Sequence, residues 1–291
     1  MPRKLPVGAI VAQSFGFAVT RYPALLGAVW LPALVFVPAA SVAALLTPAL
    51  YGPTLPLLSA VLLATVVEGF AIVWMGAAAT RIALGIAPRW RFVDLPGMDE
   101  LRVLGVYTIA FIFLSVLFAC IGGAVFAIDY SALLAMGEPA PSIFAPRTGI
   151  AGAIVTFGAL AYQIAFFYLA FRLSLLIQPA TIATGRLDVF AGWNLLRGNS
   201  VHAIGLLIVP VVILFAVLSA SVAHLLPAFP PSAGWIAAGS GAHAMPPGWL
   251  AQAGMMTALW LAVAPFAAGL FCAPAALAYR VLSTPASLPA R

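Results

Sequence analysis

ATRIAL (79–84), AFRLSL (170–175) and AYRVLS (278–283) share one pattern, in which a long apolar run closes on Ala-x-Arg and an apolar residue follows at once. A proline stands seven residues after the first two arginines, Pro88 after Arg81 and Pro179 after Arg172, and Pro285 stands five after Arg280. Working outward from these closures, the runs they end have the length of a bilayer. A membrane-crossing helix needs about 20 mainly apolar residues. Six such runs fall at roughly 24–47, 57–80, 103–128, 149–171, 200–226 and 250–279. Period-two alternation is lacking, and each run is far longer than the roughly ten-residue strands of an outer-membrane barrel. The expected fold is all-α, a polytopic membrane bundle of six transmembrane helices forming a single domain over residues 1–291.

Composition sets the solvent. Hydrophobic residues make up 64% of the 291 and charged ones 7%, and the mean hydropathy is +1.14. A soluble domain is about 45–50% apolar and roughly 25% charged. No aqueous fold hides so much apolar surface, so the solvent is lipid. Twelve arginines against one lysine, with heavy use of Ala, Pro and Gly, point to a GC-rich bacterial genome.

Charge sets the orientation. Of the thirteen Lys and Arg, twelve fall on one side of a six-span chain: Arg3, Lys4, Arg21, Arg81, Arg89, Arg91, Arg102, Arg172, Arg186, Arg197, Arg280 and Arg291. Arg147 alone falls on the other. Lys and Arg in short loops mark the cytoplasmic side, so both termini are expected in the cytoplasm of a multi-pass protein of the bacterial inner (plasma) membrane. Arg81, Arg172 and Arg280 then become inner-interface anchors, with the stem in lipid and the guanidinium among anionic headgroups. Trp193 joins them at the same level. A pI near 9.8 raises the question of nucleic acid, but the basic residues follow the topology and form no groove-reading module.

The N-terminal stretch MPRKLPVGAIVAQSFGFAVTR has the outline of a signal peptide, but Gln13 and Ser14 interrupt its apolar part and Arg21 ends it directly before the first span. It reads as an uncleaved amphipathic lead-in helix. The connectors 95–105 and 187–199 carry Leu95, Met98, Leu101 and Leu187, Phe190, Trp193, Leu196 at helical spacing and read as short interfacial helices. The repeating unit is therefore an interfacial helix, an outward span and an inward span ending in arginine, used three times. Gly27–Pro32 matches Gly205–Pro210 in spacing, and ASVAALL (40–46) echoes ASVAHLL (220–226).

The segment FRLSLLIQPATIATGRLDVFAGWNLLRGNSVHAIGLL (171–207) resembles the membrane domain fused to some bacterial glycerophosphodiester phosphodiesterases, and its stand-alone relatives. Arg172, Pro179, Gly185, Ala191, Trp193 and Gly198 carry the resemblance. It implies a membrane scaffold with the six-span layout and no catalytic residue. The phosphodiesterase barrel itself has no counterpart, since no soluble stretch is long enough to hold it.

Enzyme motifs are missing. GxxxxGK[ST], HExxH, CxxC and GxSxG do not occur, and Lys4 is the single lysine. Ser221 and His224 lie three apart, with no acid placed to orient the imidazole. Cys120 and Cys272 read as buried inert thiols. No acidic cluster has metal-ligand spacing, so neither metal nor cofactor is expected. Asp99, Glu100, Asp94 and Asp188 fall beside arginines and balance them; Asp129 and Glu138 fall in the outer loop.

Glu68 stands apart, in ATVVEGFAIVW near the middle of the second span. A charge there is costly and normally faces the bundle interior or a wet cavity. Tyr162 and Gln163, at matching depth in the fourth span, are its expected partners. It is either a protonated packing group or a proton or cation site. The uncharged loop 228–249, with Trp235 and Trp249, reads as an interfacial or re-entrant loop, or as a lid.

The leading expectation is a non-enzymatic inner-membrane protein concerned with the envelope or its lipids, or a platform for a protein partner or a second copy of itself. Its main partners are membrane lipids, with anionic headgroups on the cytoplasmic face. The alternative is a small-solute or proton-coupled transporter or channel using Glu68. An intramembrane enzyme acting on lipid is a third class, with no residue to nominate.

Overall fold

The computed structural model describes residues 4–46, 55–86, 96–135, 149–225 and 249–284. The loop 228–248, with Arg3, Arg89, Arg91, Asp94, Glu138, Arg147 and Arg291, lies outside them, as do the side chains of Asp129, Ser221 and His224. The described residues form nine helices and no strand: α1 Val7–Thr20, α2 Tyr22–Leu46, α3 Leu55–Leu84, α4 Met98–Ala135, α5 Gly149–Ser174, α6 Ile177–Thr184, α7 Ala191–Leu195, α8 Ser200–Leu225 and α9 Trp249–Ser283.

Five segments are long and apolar enough to cross a bilayer: Tyr22–Ala40, Leu58–Leu84, Met98–Cys120, Leu160–Thr184 and Thr257–Ser283. The sixth expected span corresponds to α8, whose Ser200–Val212 part forms a shorter apolar stretch. The outward faces suit lipid alone. Val66, Phe111 and Phe157 are 68%, 71% and 70% exposed, amid many other exposed large apolar side chains. A water-soluble monomer does not carry apolar surface on that scale.

Backbone chemistry places the breaks. Pro23 has no N–H to offer the Val19 carbonyl and its ring crowds that turn, so α1 stops and α2 restarts across Arg21. Pro179 does the same to the Leu175 carbonyl: α5 ends at Ser174, and α6 begins at Ile177 with the proline in its first turn, where a missing N–H is harmless. Glycines supply the stops. Gly85, at φ +77°, donates to Ile82 while Ile86 donates to Arg81, which closes α3 in a Schellman motif. Gly185, at φ +66°, donates to Thr181 and closes α6.

Small residues let the inner helices approach closely. Ala77, Ala78, Ala79 and Ala83 of α3 and Ala273, Ala275, Ala276 and Ala278 of α9 are all buried, as close packing without a hydrophobic drive requires. The α2–α3 hairpin packs on α9, and α1 runs along α9, where Ala18 lies against Gly269. One cluster gathers Leu5, Leu175, Leu176, Leu196, Ala203, Leu206 and Ala278. The N-terminal segment, the α5–α6 junction, α7, the start of α8 and the end of α9 therefore meet at one end of the bundle.

Three details of the expected repeat differ from the structure. Among the described residues no separate interfacial helix precedes α4: residues 98–105 are its first turns, and Asp99 and Glu100 suit its positive N-terminal end. In the second connector only Ala191–Leu195 is helical. The stretch following Arg172, expected as a connector, forms a separate helix, α6, packed into the bundle. Its residues Ile177 to Ile182 are all buried, between α3, α4 and α9. Eight residues with free helix ends are enclosed by protein here, as an apolar surround requires.

Gly192 tests the seat of α7. A Cβ there would lie 3.2 Å from the Leu173 carbonyl oxygen, 3.3 Å from the Ile177 nitrogen and 3.4 Å from the Leu176 carbonyl carbon. Backbone cannot swing aside, so Gly192→Ala should cost about 1–2 kcal/mol. Gly254→Ala, with open space around it, should be neutral or slightly stabilising. Thermal melts of the two variants in detergent check both signs.

Candidate functional site

The strongest constellation centres on Gln178, a buried amide on α6. Its Nε2 donates to Thr80 Oγ1 of α3 at 2.9 Å, and its Oε1 accepts from the Tyr107 hydroxyl of α4 at 3.2 Å. A buried amide left unpaired would be costly, so the two bonds fix α6 against both helices. Gly76 provides the room: a Cβ there would sit 3.0 Å from Gln178 Nε2.

Two cavities adjoin this network. A pocket of about 280 Å³ is bounded by Thr80, Tyr107, Ser174, Gln178, Cys272 and neighbouring apolar residues. A larger cleft of about 380 Å³ opens between α2, α3 and α9, walled by Phe36, Ile72, Met75, Trp260, Ala268 and Phe271. Phe271 and Cys272 wall both. Phe36 and Trp260 stack in the cleft with centroids 5.0 Å apart. The combination is amphiphilic: hydrocarbon walls on one side of Phe271, hydrogen-bonding groups on the other.

Charge is held elsewhere. Arg81 and Glu100 are 1% and 0% exposed and form an ion pair, with Asp99 at 4.0 Å from the same guanidinium. Glu100 also accepts the Gly97 N–H at 2.7 Å, the reaching-back half of a capping box on α4. Asp99 pairs with Arg102. The balancing of arginines by these two acids is thus realised, but the Arg81 guanidinium is enclosed by protein and not spread among headgroups. Arg172 stacks on Trp193, 3.8 Å from guanidinium carbon to ring centroid. Arg280 is exposed on the last turns of α9. The three repeat arginines have three different surroundings.

Glu68 lies on the packed face of α3, four residues from buried Ala64 and three from buried Ala71, and is itself half-buried. Tyr162 and Gln163 do not reach it. The Tyr162 hydroxyl donates to the Phe118 carbonyl of α4, Tyr162 packs on Phe118, and Gln163 is exposed on α5. The reason is topological: α5 lies against α4, while α3 lies against α2 and α9. Among the described residues Glu68 makes no hydrogen bond or ion pair. Of the cysteines, Cys120 is exposed and not buried, because its side of α4 faces outward. Among the described residues no His, Cys, Asp and Glu gather in threes.

Residue-type reasoning passed over Gln178, Thr80 and Tyr107. One signal was available: IQPATIATG (177–185) has a proline in its first turn and a glycine at its end, the start and stop marks of a short helix.

The buried pair makes a quantitative expectation. Arg81→Met takes a buried cation from beside Glu100 and should cost about 3–5 kcal/mol, whereas the double change Arg81→Met with Glu100→Met should recover most of it. Unfolding of the two single variants and the double, followed in detergent, completes the cycle. Single losses below about 1 kcal/mol that simply add in the double variant would show that the pair is solvated and not buried. No family model, curated protein or solved structure matches the chain.

Proposed function

We propose that the chain is a non-enzymatic lipid-handling protein of a bacterial inner membrane, with six spans and both termini cytoplasmic. The observation that carries the lipid role is the apolar cleft between α2, α3 and α9 abutting the Gln178 pocket. Hydrocarbon walls beside buried hydrogen-bonding groups match one membrane amphiphile, chain in the cleft and head in the pocket. The orientation is supported by the twelve-to-one charge split and by the gathering of chain ends at one end of the bundle. The sixth span is α8, 26 residues long. Descent from the scaffold family that 171–207 resembles agrees with this role, and so does a protein partner or second copy on the cytoplasmic face.

Photoactivatable acyl chains introduced into membranes holding the protein test the cleft. Capture should concentrate on Trp260 and on residues 264–272 of α9, and Ala268→Trp, which fills the cleft, should remove most of it. Capture spread over the outward faces of α4 and α5, with none on that part of α9, would remove the lipid role.

A second reading, transport of protons or a small solute, is favoured by the half-buried Glu68 one turn before Ile72 of the cleft. Under it, Glu68→Gln keeps stability within about 1 kcal/mol and abolishes a pH-driven flux into liposomes. Wild-type liposomes without such flux would exclude the reading.

A further inference from the structure

We infer that the amphiphile taken by this cleft carries an uncharged, hydroxyl- or carbonyl-bearing head, of the acylglycerol type. The inference rests on the cleft being a lipid site and names which lipid. Its ground is the chemistry of the pocket around Gln178. Hydroxyls of Thr80, Tyr107 and Ser174, the Gln178 amide and the Cys272 thiol supply its polar surface, and among the described residues no charged side chain lines it.

The nearest arginines are committed elsewhere. Arg81 follows Thr80 directly, but its guanidinium is enclosed with Glu100 and Asp99. Arg172 lies over the Trp193 ring. A phosphate or carboxylate drawn into the pocket would lose its water with no cation to replace it, which is prohibitive in an apolar surround. An uncharged head meets no such barrier.

The Gln178 amide also has capacity to spare. It uses one N–H on Thr80 and one lone pair on Tyr107. An amide offers two of each, so one donor and one acceptor remain. Glycerol hydroxyls and ester carbonyls need that combination. The opposite polarity on the two sides of Phe271 and Cys272 sets the direction, with the chain toward Trp260 and the head toward Gln178. Gly76 is the positioning residue, since a Cβ there would lie 3.0 Å from Gln178 Nε2 and 3.3 Å from Oε1 and would make the amide shift.

Three competitors sharing one oleyl chain read the head: monooleoylglycerol, its anionic counterpart lyso-phosphatidylglycerol, and octadecene, which has no head. Each is titrated against capture of the photoactivatable chain on α9 in the wild-type protein. Monooleoylglycerol should compete about tenfold better than either of the others, the worth of one to two net hydrogen bonds. That lead should fall to about twofold or less in Gln178→Leu, and Gly76→Ala should reduce it as well. Where Gln178→Leu melts too early to compare, Tyr107→Phe, which deletes a single hydroxyl, carries the same comparison.

An anionic competitor equal to or better than monooleoylglycerol overturns the inference while leaving the lipid role intact. So does a lead that survives in a folded Gln178→Leu. No capture on α9 at all removes both.

Discussion

The buried pair of Arg81 and Glu100 holds two parts of the bundle in one arrangement. One charge ends α3, the other begins α4, and removing either takes a partner from a buried opposite charge. The pair therefore fixes the distance between the α2–α3 hairpin and α4 at the ends that carry the two charges. That distance is the width into which α6 fits, with Ile182 against Ala77 and Val103, and Ile177 against Val106 and Ala110. The position of Gln178, and with it the polar half of the amphiphilic site, follows from a salt bridge about a helical turn away.

Lipid as solvent explains why polar groups are so few. The backbone group freed at Pro179 falls where α6 is enclosed by other helices, whereas the junction at Arg21 and Pro23 is exposed. Side-chain polarity is spent on joints: Asn199 Oδ1 accepts the Leu5 N–H, and Tyr22 donates to the Ala262 carbonyl. Each joins segments far apart in the chain, where a hydrogen bond contributes specificity that apolar contact lacks.

Much of this was legible in the residues. Long apolar runs end at arginines because bilayer thickness and charge leave one solution, and α3, α5 and α9 close on Arg81, Arg172 and Arg280 in their last turns. The stacking of Arg172 on Trp193 joins two residues singled out as anchors. Less legible was α6. Its eight residues, IQPATIAT, mix apolar side chains with Gln178, Thr181 and Thr184, and period alone cannot tell a connector from a separate buried helix. The partners of Gln178 stand 98 and 71 positions away, so nothing local marks that glutamine as the centre of a network. The pairing of Glu68 with Tyr162 failed for a related reason: equal depth in the membrane does not make two helices neighbours.

The shortness of α6 has a consequence for biosynthesis. A helix of eight residues is far below the length that partitions into a bilayer by itself, so it cannot be inserted as a unit. It is made after α3 and α4 but well before α9, and α9 supplies Phe271, Cys272 and Ala275, the far wall of the pocket beside Gln178. Until α9 has been synthesised and packed, the Gln178 side of the bundle stands open toward lipid. Completion of the last helix is thus what closes the site, and a nascent chain stalled before residue 249 has α6 but no cleft for it to border.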